Sequence, residues 1–200
     1  MRGKEEGTSR KQAILRAAQR LFARYGYART TIRMVSQEAG VAFGLVAHHF
    51  GNKEKLFLAA GSALIDEVLA TIRARTPHGI SGREALAYLV GTYCAFTQEH
   101  PHIFPTLIRC SPFSDDNPTV DRGPIALKFQ ELIGAIEACV RRGMEDGSLD
   151  RSWDPRAAAL LVYATVVGAV RTVFLAGFAK PDLFGQAQRF IDQALTSRGQ

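Results

Sequence analysis

Residues 41–56 read VAFGLVAHHFGNKEKL. Val46 and Phe50 stand one helical turn apart, so a short helix ending near Phe50 buries both on one side. Gly51-Asn52 makes a turn, and Lys53 opens a longer helix. Its apolar stripe begins Leu56, Phe57, Leu64, Ile65 and continues Val68, Leu69, Ile72. A mid-helix glycine, two adjacent histidines and two lysines on one short segment admit three chemistries: metal ligation, an acid–base pair, or contact with nucleic acid. His48 and His49 are sequence neighbours, so they leave a helix in different directions and do not chelate as an i, i+4 pair does. No metal site and no cofactor are expected.

Upstream, Ser9-Arg10-Lys11-Gln12 has capping-box spacing and is expected to open a first helix. Ile14, Ala17, Ala18, Leu21, Phe22 and Tyr25 recur through it at helical intervals, and Gly26 ends it. Thr31 caps a second helix with Ile32, Val35 and Ala39 inward, and Gly40 stops that one. Ala39-Gly40-Val41 then supplies a small residue, a turn glycine and a buried apolar residue, the order a helix-turn-helix needs. Charge separates this segment from the remainder. Residues 1–60 hold 11 Lys and Arg against 4 Asp and Glu, whereas residues 61–200 hold 14 against 15. The whole +6 excess therefore lies in the first third, which points to a polyanionic partner for one end only.

Physical chemistry suggests roles. The amino end of the second helix offers unpaired N–H groups to a phosphate, with the Thr30 and Thr31 hydroxyls beside it. Arg33, in the first turn, suits a guanine edge or a phosphate. The third helix is expected to enter the major groove of double-stranded DNA. There Gly44 permits close approach, Phe43 and Leu45 reach thymine methyls, and His48 and His49 donate to phosphates or base edges. Lys53 supplies a point charge for the backbone.

The stretch AILRAAQRLFARYGYARTTIRMVSQEAGVAFGLVAHHFGNKEKL resembles the DNA-binding region of the tetracycline-repressor (TetR) family of transcription regulators. Ile14, Ala18, Leu21, Phe22, Gly26, Thr31, Ala39-Gly40-Val41, Gly44, His49-Phe50 and Lys53-Glu54-x-Leu56 carry the resemblance. The family typically has Ser or Thr where Ala42 stands, Tyr where Ala47 stands, and a polar residue where Phe43 stands. These departures shift the expected contacts toward Arg33, His48 and Lys53, with a thymine near Phe43 or Leu45.

The rest of the chain continues the helical pattern. Pro77-His78-Gly79 breaks the fourth helix, and Ser81-Gly82-Arg83-Glu84 forms a capping box for a fifth that reaches Glu99. A short helix is expected at 102–110, Pro124 suits the first turn of a seventh, and Asp154-Pro155 starts an eighth that reaches Gly177. Pro181 opens the ninth. His100-Pro101-His102 reads as a helix-end turn, and Asp115-Asp116 as turn-capping residues. The expected fold is all-α with about nine helices: a helix-turn-helix module at 1–52 and a helical ligand-binding and dimerisation domain at 53–200.

The apolar run Ala157–Ala179 is long enough to span a bilayer, but Arg171 and its small residues favour a helix packed in protein, with no membrane partner. Cys94, Cys110 and Cys139 lack metal spacing and cannot all pair, which suits a reduced, cytoplasmic setting. An apolar pocket is expected to be edged by Tyr93, Phe96, Phe104 and Leu107 from the middle of the chain, and by Phe129, Ile133, Tyr163 and Val167 from later helices. That lining favours a lipophilic or aromatic effector. Arg109, Gln130 or Arg171 would add a polar contact if turned inward.

Ala164, Gly168 and Thr172 recur at four-residue steps on the eighth helix. With Phe184, Ala187 and Ile191 of the ninth, they are the expected dimer surface. The family resemblance implies a homodimer built there on a four-helix bundle, and two copies would set two recognition helices about one DNA turn apart, roughly 34 Å. The function implied is a ligand-responsive repressor acting on a near-palindromic operator. The alternative is an all-helical small-molecule-binding protein or enzyme whose basic end is incidental, although no nucleophile–base arrangement is visible.

Overall fold

The computed structural model of the protein describes residues 2–111, 121, 123–174 and 182–196, residues 2–8 by backbone alone. In chain order its helices are α1 (Arg2–Arg29), α2 (Ile32–Glu38), α3 (Phe43–Phe50), α4 (Lys53–Arg75), α5 (Gly82–Glu99), α6 (Phe104–Cys110), α7 (Gly123–Glu145), α8 (Pro155–Phe174) and α9 (Leu183–Leu195). Among the described residues there are these nine helices and no strand, in agreement with the all-α expectation. Asp115, Asp116, Gly177 and Pro181 lie outside the described residues.

The chain forms two compact units. One comprises Met1–Asp66 and His100–Lys128; the other comprises Glu67–Glu99 and Phe129–Gln200. They divide within α4 and α7, whereas the boundary expected after Asn52 rests on function.

In the first unit α1 buries Ile14, Ala17, Ala18 and Phe22 completely. The helix starts at Arg2, so the Ser9 capping-box spacing lies inside it and does not open it. The preceding residues contain no proline, and Glu5 and Glu6 favour a helix amino end. Gly26 interrupts the helical run with φ 75° and ψ 175°, in the region that favours glycine. Side chains from α6 then satisfy α1 backbone. Thr106 Oγ1 donates to the Gln19 carbonyl at 2.6 Å, and Arg109 Nη1 donates to the Phe22 carbonyl at 2.8 Å. Arg109 is thus tied by this bond to the α1 backbone. Gln19, only 1% exposed, donates through Nε2 to the Ala60 carbonyl at 3.1 Å. Gly61 on α4 meets α6 so closely that a Cβ there would lie 2.1 Å from Cys110 Sγ.

In the second unit the expected Ser81–Glu84 box forms reciprocally. The Ser81 N–H and Oγ each donate to Glu84 Oε2 at 2.8 Å, and the Glu84 N–H donates to Ser81 Oγ at 3.2 Å. These bonds hold the Glu84 carboxyl below its ordinary pKa. Asp154 caps α8 as expected, accepting the Ala157 N–H at 2.7 Å. Arg83 makes a bidentate pair with Asp192 of α9, both bonds 2.6 Å. Burial pushes the Cys94 thiol up to about 11.

Helix α8 has a mean hydropathy of 1.8 over its most apolar 18-residue window, enough by length and composition to cross a membrane. Ala158, Ala159, Val162, Tyr163, Val166 and Val170 are buried within the unit, whereas Leu160, Leu161, Ala164 and Gly168 are exposed. One side of an apolar helix is therefore left uncovered.

The amino end of α5 meets the end of α7 backbone to backbone. A Cβ on Gly82 would lie 2.0 Å from the Gly143 nitrogen, and one on Gly143 would lie 2.6 Å from Leu149 Cδ1. Gly134, also on α7, has nothing within 4 Å of its Cβ position. Gly82→Ala is expected to destabilise the protein by about 1–3 kcal/mol, because backbone cannot rotate out of the way. Gly134→Ala is expected to be stabilising by roughly 0.5–1 kcal/mol through helix propensity. Urea unfolding of the two variants checks the pair.

Candidate nucleic-acid interface and effector cavity

Helices α2 and α3 are joined by a turn whose backbone is nearly fully satisfied. Gly40 adopts φ 65°. The Ala39 N–H donates to the Val35 carbonyl at 2.9 Å, Gly40 to Gln37 at 3.2 Å and Val41 to Ser36 at 3.0 Å. Val35 is fully buried and Ser36 is 4% exposed, its hydroxyl donating to the Arg33 carbonyl at 2.9 Å. Thr31 caps α2 as expected, its Oγ1 accepting the Met34 N–H at 3.2 Å. Arg33 projects from the first turn, exposed and without an ion pair among the described residues.

Helix α3 sorts into four i, i+4 pairs. Val46 and Phe50 face inward at 0% and 9% exposure. Leu45 and His49 are half-buried flanks, and Phe43 with Ala47 and Gly44 with His48 are exposed. Sequence reasoning missed Ala47, whose exposure follows from its four-residue spacing to Phe43. It also ranked Leu45 with Phe43, whereas Leu45 lies toward the core. The Ala42 side chain gives α3 no cap. Nothing lies within 4 Å of the Gly44 Cβ position, so internal packing does not require its small size.

Two residues expected to contact DNA make bonds within the protein. Thr30 is fully buried, its hydroxyl donating to the Gly26 carbonyl at 2.8 Å and the Leu21 carbonyl at 3.2 Å. It closes α1 and presents nothing outward. Lys53 Nζ donates to the Tyr27 carbonyl at 3.1 Å and the Ala28 carbonyl at 3.5 Å, and sits 4.3 Å from the Tyr27 ring centroid. Its charge serves first to satisfy the carbonyls that end α1. Tyr27 in turn packs on Phe57 with centroids 5.1 Å apart. Burial, and then the charge of Glu54, raise its phenol pKa.

The second unit contains a small apolar cavity between α5, α7 and α8. Leu89, Val90 and Tyr93 line it from α5, Leu132 and Ile136 from α7, and Tyr163, Val166 and Val167 from α8. Of the expected pocket residues it brings together Tyr93, Tyr163 and Val167. Phe129 stands edge-on to Tyr163 with centroids 6.5 Å apart, and Phe96 and Ile133 are core residues of the same unit. Phe104 and Leu107 belong to the first unit and are buried there. Burial holds the Tyr93 phenol protonated well above its ordinary range.

Of the expected dimer residues, Ala164 and Gly168 are exposed, and Thr172 and Phe184 are half-buried. Ala187 and Ile191, 8% and 5% exposed, belong to the unit's own core, because α9 packs that face on α5 and α8. Phe190, 63% exposed, is the outward aromatic of α9, and Leu161 of α8 is 54% exposed. Both follow from helical periodicity once the inward face of each helix is known.

Residues 14–60 match the family model described as bacterial regulatory proteins, tetR family. The chain is 49% identical over 49 residues to the HTH-type transcriptional repressor AcnR of Corynebacterium efficiens, a match covering 24% of this chain and 26% of that protein. The match thus spans about a quarter of that repressor's length. It is 28% identical over 201 residues to the HTH-type transcriptional regulator TtgR of Pseudomonas putida, covering 97% of this chain and 93% of the other. In fold it is similar to the transcriptional regulator FadR of Bacillus subtilis, solved in complex with stearoyl-CoA, with a TM-score of 0.80 at 18% identity over 95% of this chain and all of that one. Residues 14–60, which include the helix-turn-helix, are thus similar to the amino-terminal segment of the tetR family, and the chain shares the fold of a solved transcriptional regulator.

Proposed function

We propose that this protein is a ligand-responsive transcriptional repressor, cytoplasmic and homodimeric, that binds a near-palindromic DNA operator and is released by a lipophilic or aromatic small molecule. One observation carries the DNA half of the reading. On the basic third of the chain, α3 buries only one face and leaves Phe43, Gly44, Ala47 and His48 open beside Arg33, which makes no ion pair among the described residues. A helix with that profile, preceded by a tight turn and a capped partner helix, suits the major groove. The functional partition then follows: residues 1–52 bind DNA and residues 53–200 bind the effector and the second copy. No catalytic step enters this reading.

The exposed side of α8, with Leu160, Leu161, Ala164 and Gly168, and Phe190 of α9 are the proposed seat of the second copy. An apolar stripe of this kind is covered in a stable soluble protein. The cavity among Tyr93, Tyr163 and Val167 is the proposed effector site, and its lining selects apolar ligands. FadR, of the same fold, holds stearoyl-CoA, a molecule with a long apolar chain. A ligand that prefers a wider cavity shifts the population away from the DNA-binding conformation, and α4, which runs from one unit into the other, is the proposed lever.

Four measurements test this. Operator affinity is expected to fall with salt at about −0.9 log units per log unit for each neutralised phosphate. Arg33→Ala is expected to cost about 1–3 kcal/mol, confined to one base position if the guanidinium reads a base and uniform across sequences if it holds a phosphate. Light scattering is expected to show a dimer for the wild type and a monomer of unchanged helix content for Leu161→Glu combined with Phe190→Glu. A wild-type monomer at micromolar concentration defeats the dimer. Val167→Ala is expected to widen the small cavity, so that operator binding survives while a panel of lipophilic and aromatic compounds releases it at lower concentration.

A further inference from the structure

The open side of α3 carries an unusual set of groups for a base reader. Phe43 and Ala47 form one exposed i, i+4 pair, and Gly44 and His48 form the other. His48 is therefore the one hydrogen-bonding side chain on that face. Leu45 and His49 lie on the flank, and the Ala42 side chain provides no donor. The first turn of the helix presents a phenylalanine ring that is 56% exposed, on a helix whose internal packing does not use it.

In the major groove each base pair shows donors and acceptors, and thymine adds a C5-methyl group. An apolar ring set against a cytosine or adenine amino group strips that group of water and returns no hydrogen bond, which costs free energy. Set against a methyl group, the same ring removes apolar surface from water on both sides, which stabilises the complex. The small neighbours Gly44 and Ala47 let the helix backbone approach the groove floor closely enough for that contact.

We propose that Phe43 is a specificity-determining residue that recognises the C5-methyl group of a pyrimidine in each operator half-site. This rests on the DNA-binding reading above. Thymine and 5-methylcytosine present the same methyl group, so the recognised chemistry is shared and the two sources are separable by experiment.

Full-length protein is used to select bound fragments from a random duplex library. Affinity is then measured for the recovered sequence with each thymine replaced in turn by deoxyuridine, which lacks only the methyl group. One position per half-site is expected to lose about fourfold in affinity, the worth of one buried methyl-sized group. The loss is expected to vanish in Phe43→Ala and to persist in part in Phe43→Leu. Because the ring lies outside the core, both variants keep their fold, and helix content confirms it. A C·G pair at the sensitive position weakens binding, and 5-methylcytosine there regains the methyl contribution if the group is read whichever base carries it. Without that regain, thymine alone is the ligand. Indifference to every deoxyuridine, or an undiminished loss in Phe43→Ala, overturns the role of Phe43 and leaves DNA binding intact. Failure to recover any fragment overturns both.

Discussion

Helix α3 has eight residues, too few for a helix to persist unaided in water. It exists because Val46 and Phe50 are buried, a contribution of about 1.5–3 kcal/mol for each side chain. That burial fixes more than stability. Once two residues four apart are committed inward, the 3.6-residue period decides which others point outward, and so which atoms this helix can offer a partner. Replacing either inner residue by a polar one would remove the helix and its outward face together.

The two compact units achieve their packing differently. The first joins helices through side chains that satisfy backbone: Thr106 on Gln19, Gln19 on Ala60, Arg109 on Phe22 and Thr30 on Gly26. These bonds are buried or partly buried, where an unmade bond is costly, so they specify one arrangement. The exposed Arg20–Glu38 pair at 3.0 Å contributes little by comparison. The second unit relies on missing side chains, where Gly82 and Gly143 let two helix ends touch.

Much of this was legible in the sequence because its signals are local. The Ser81–Glu84 box, the Thr31 cap and the Asp154-Pro155 start all rest on residues within a turn of one another, and each forms as read. What depends on distant packing was not legible. Thr30 and Thr31 are identical neighbours, yet one hydroxyl turns into α1 and the other caps α2, a choice set by the backbone at Gly26. Ser9 has the spacing of a cap but sits inside a helix that began at Arg2. On α9, Ala187, Phe190 and Ile191 are all apolar, and only the position of α5 and α8 reveals that Phe190 is the outward one. Lys53 belonged to a basic segment, and its attachment to the carbonyls ending α1 required knowing where that helix stops.

Gly61 has a chemical consequence beyond packing. The Cys110 sulfur occupies the space its missing side chain leaves, and the thiol donates to the Leu107 carbonyl at 3.3 Å. Forming a sulfenic acid would require seating an oxygen atom on a sulfur already pressed against the α4 backbone. Peroxide stress therefore finds Cys110 sterically shielded, and its chemistry stays silent as long as this unit remains closed.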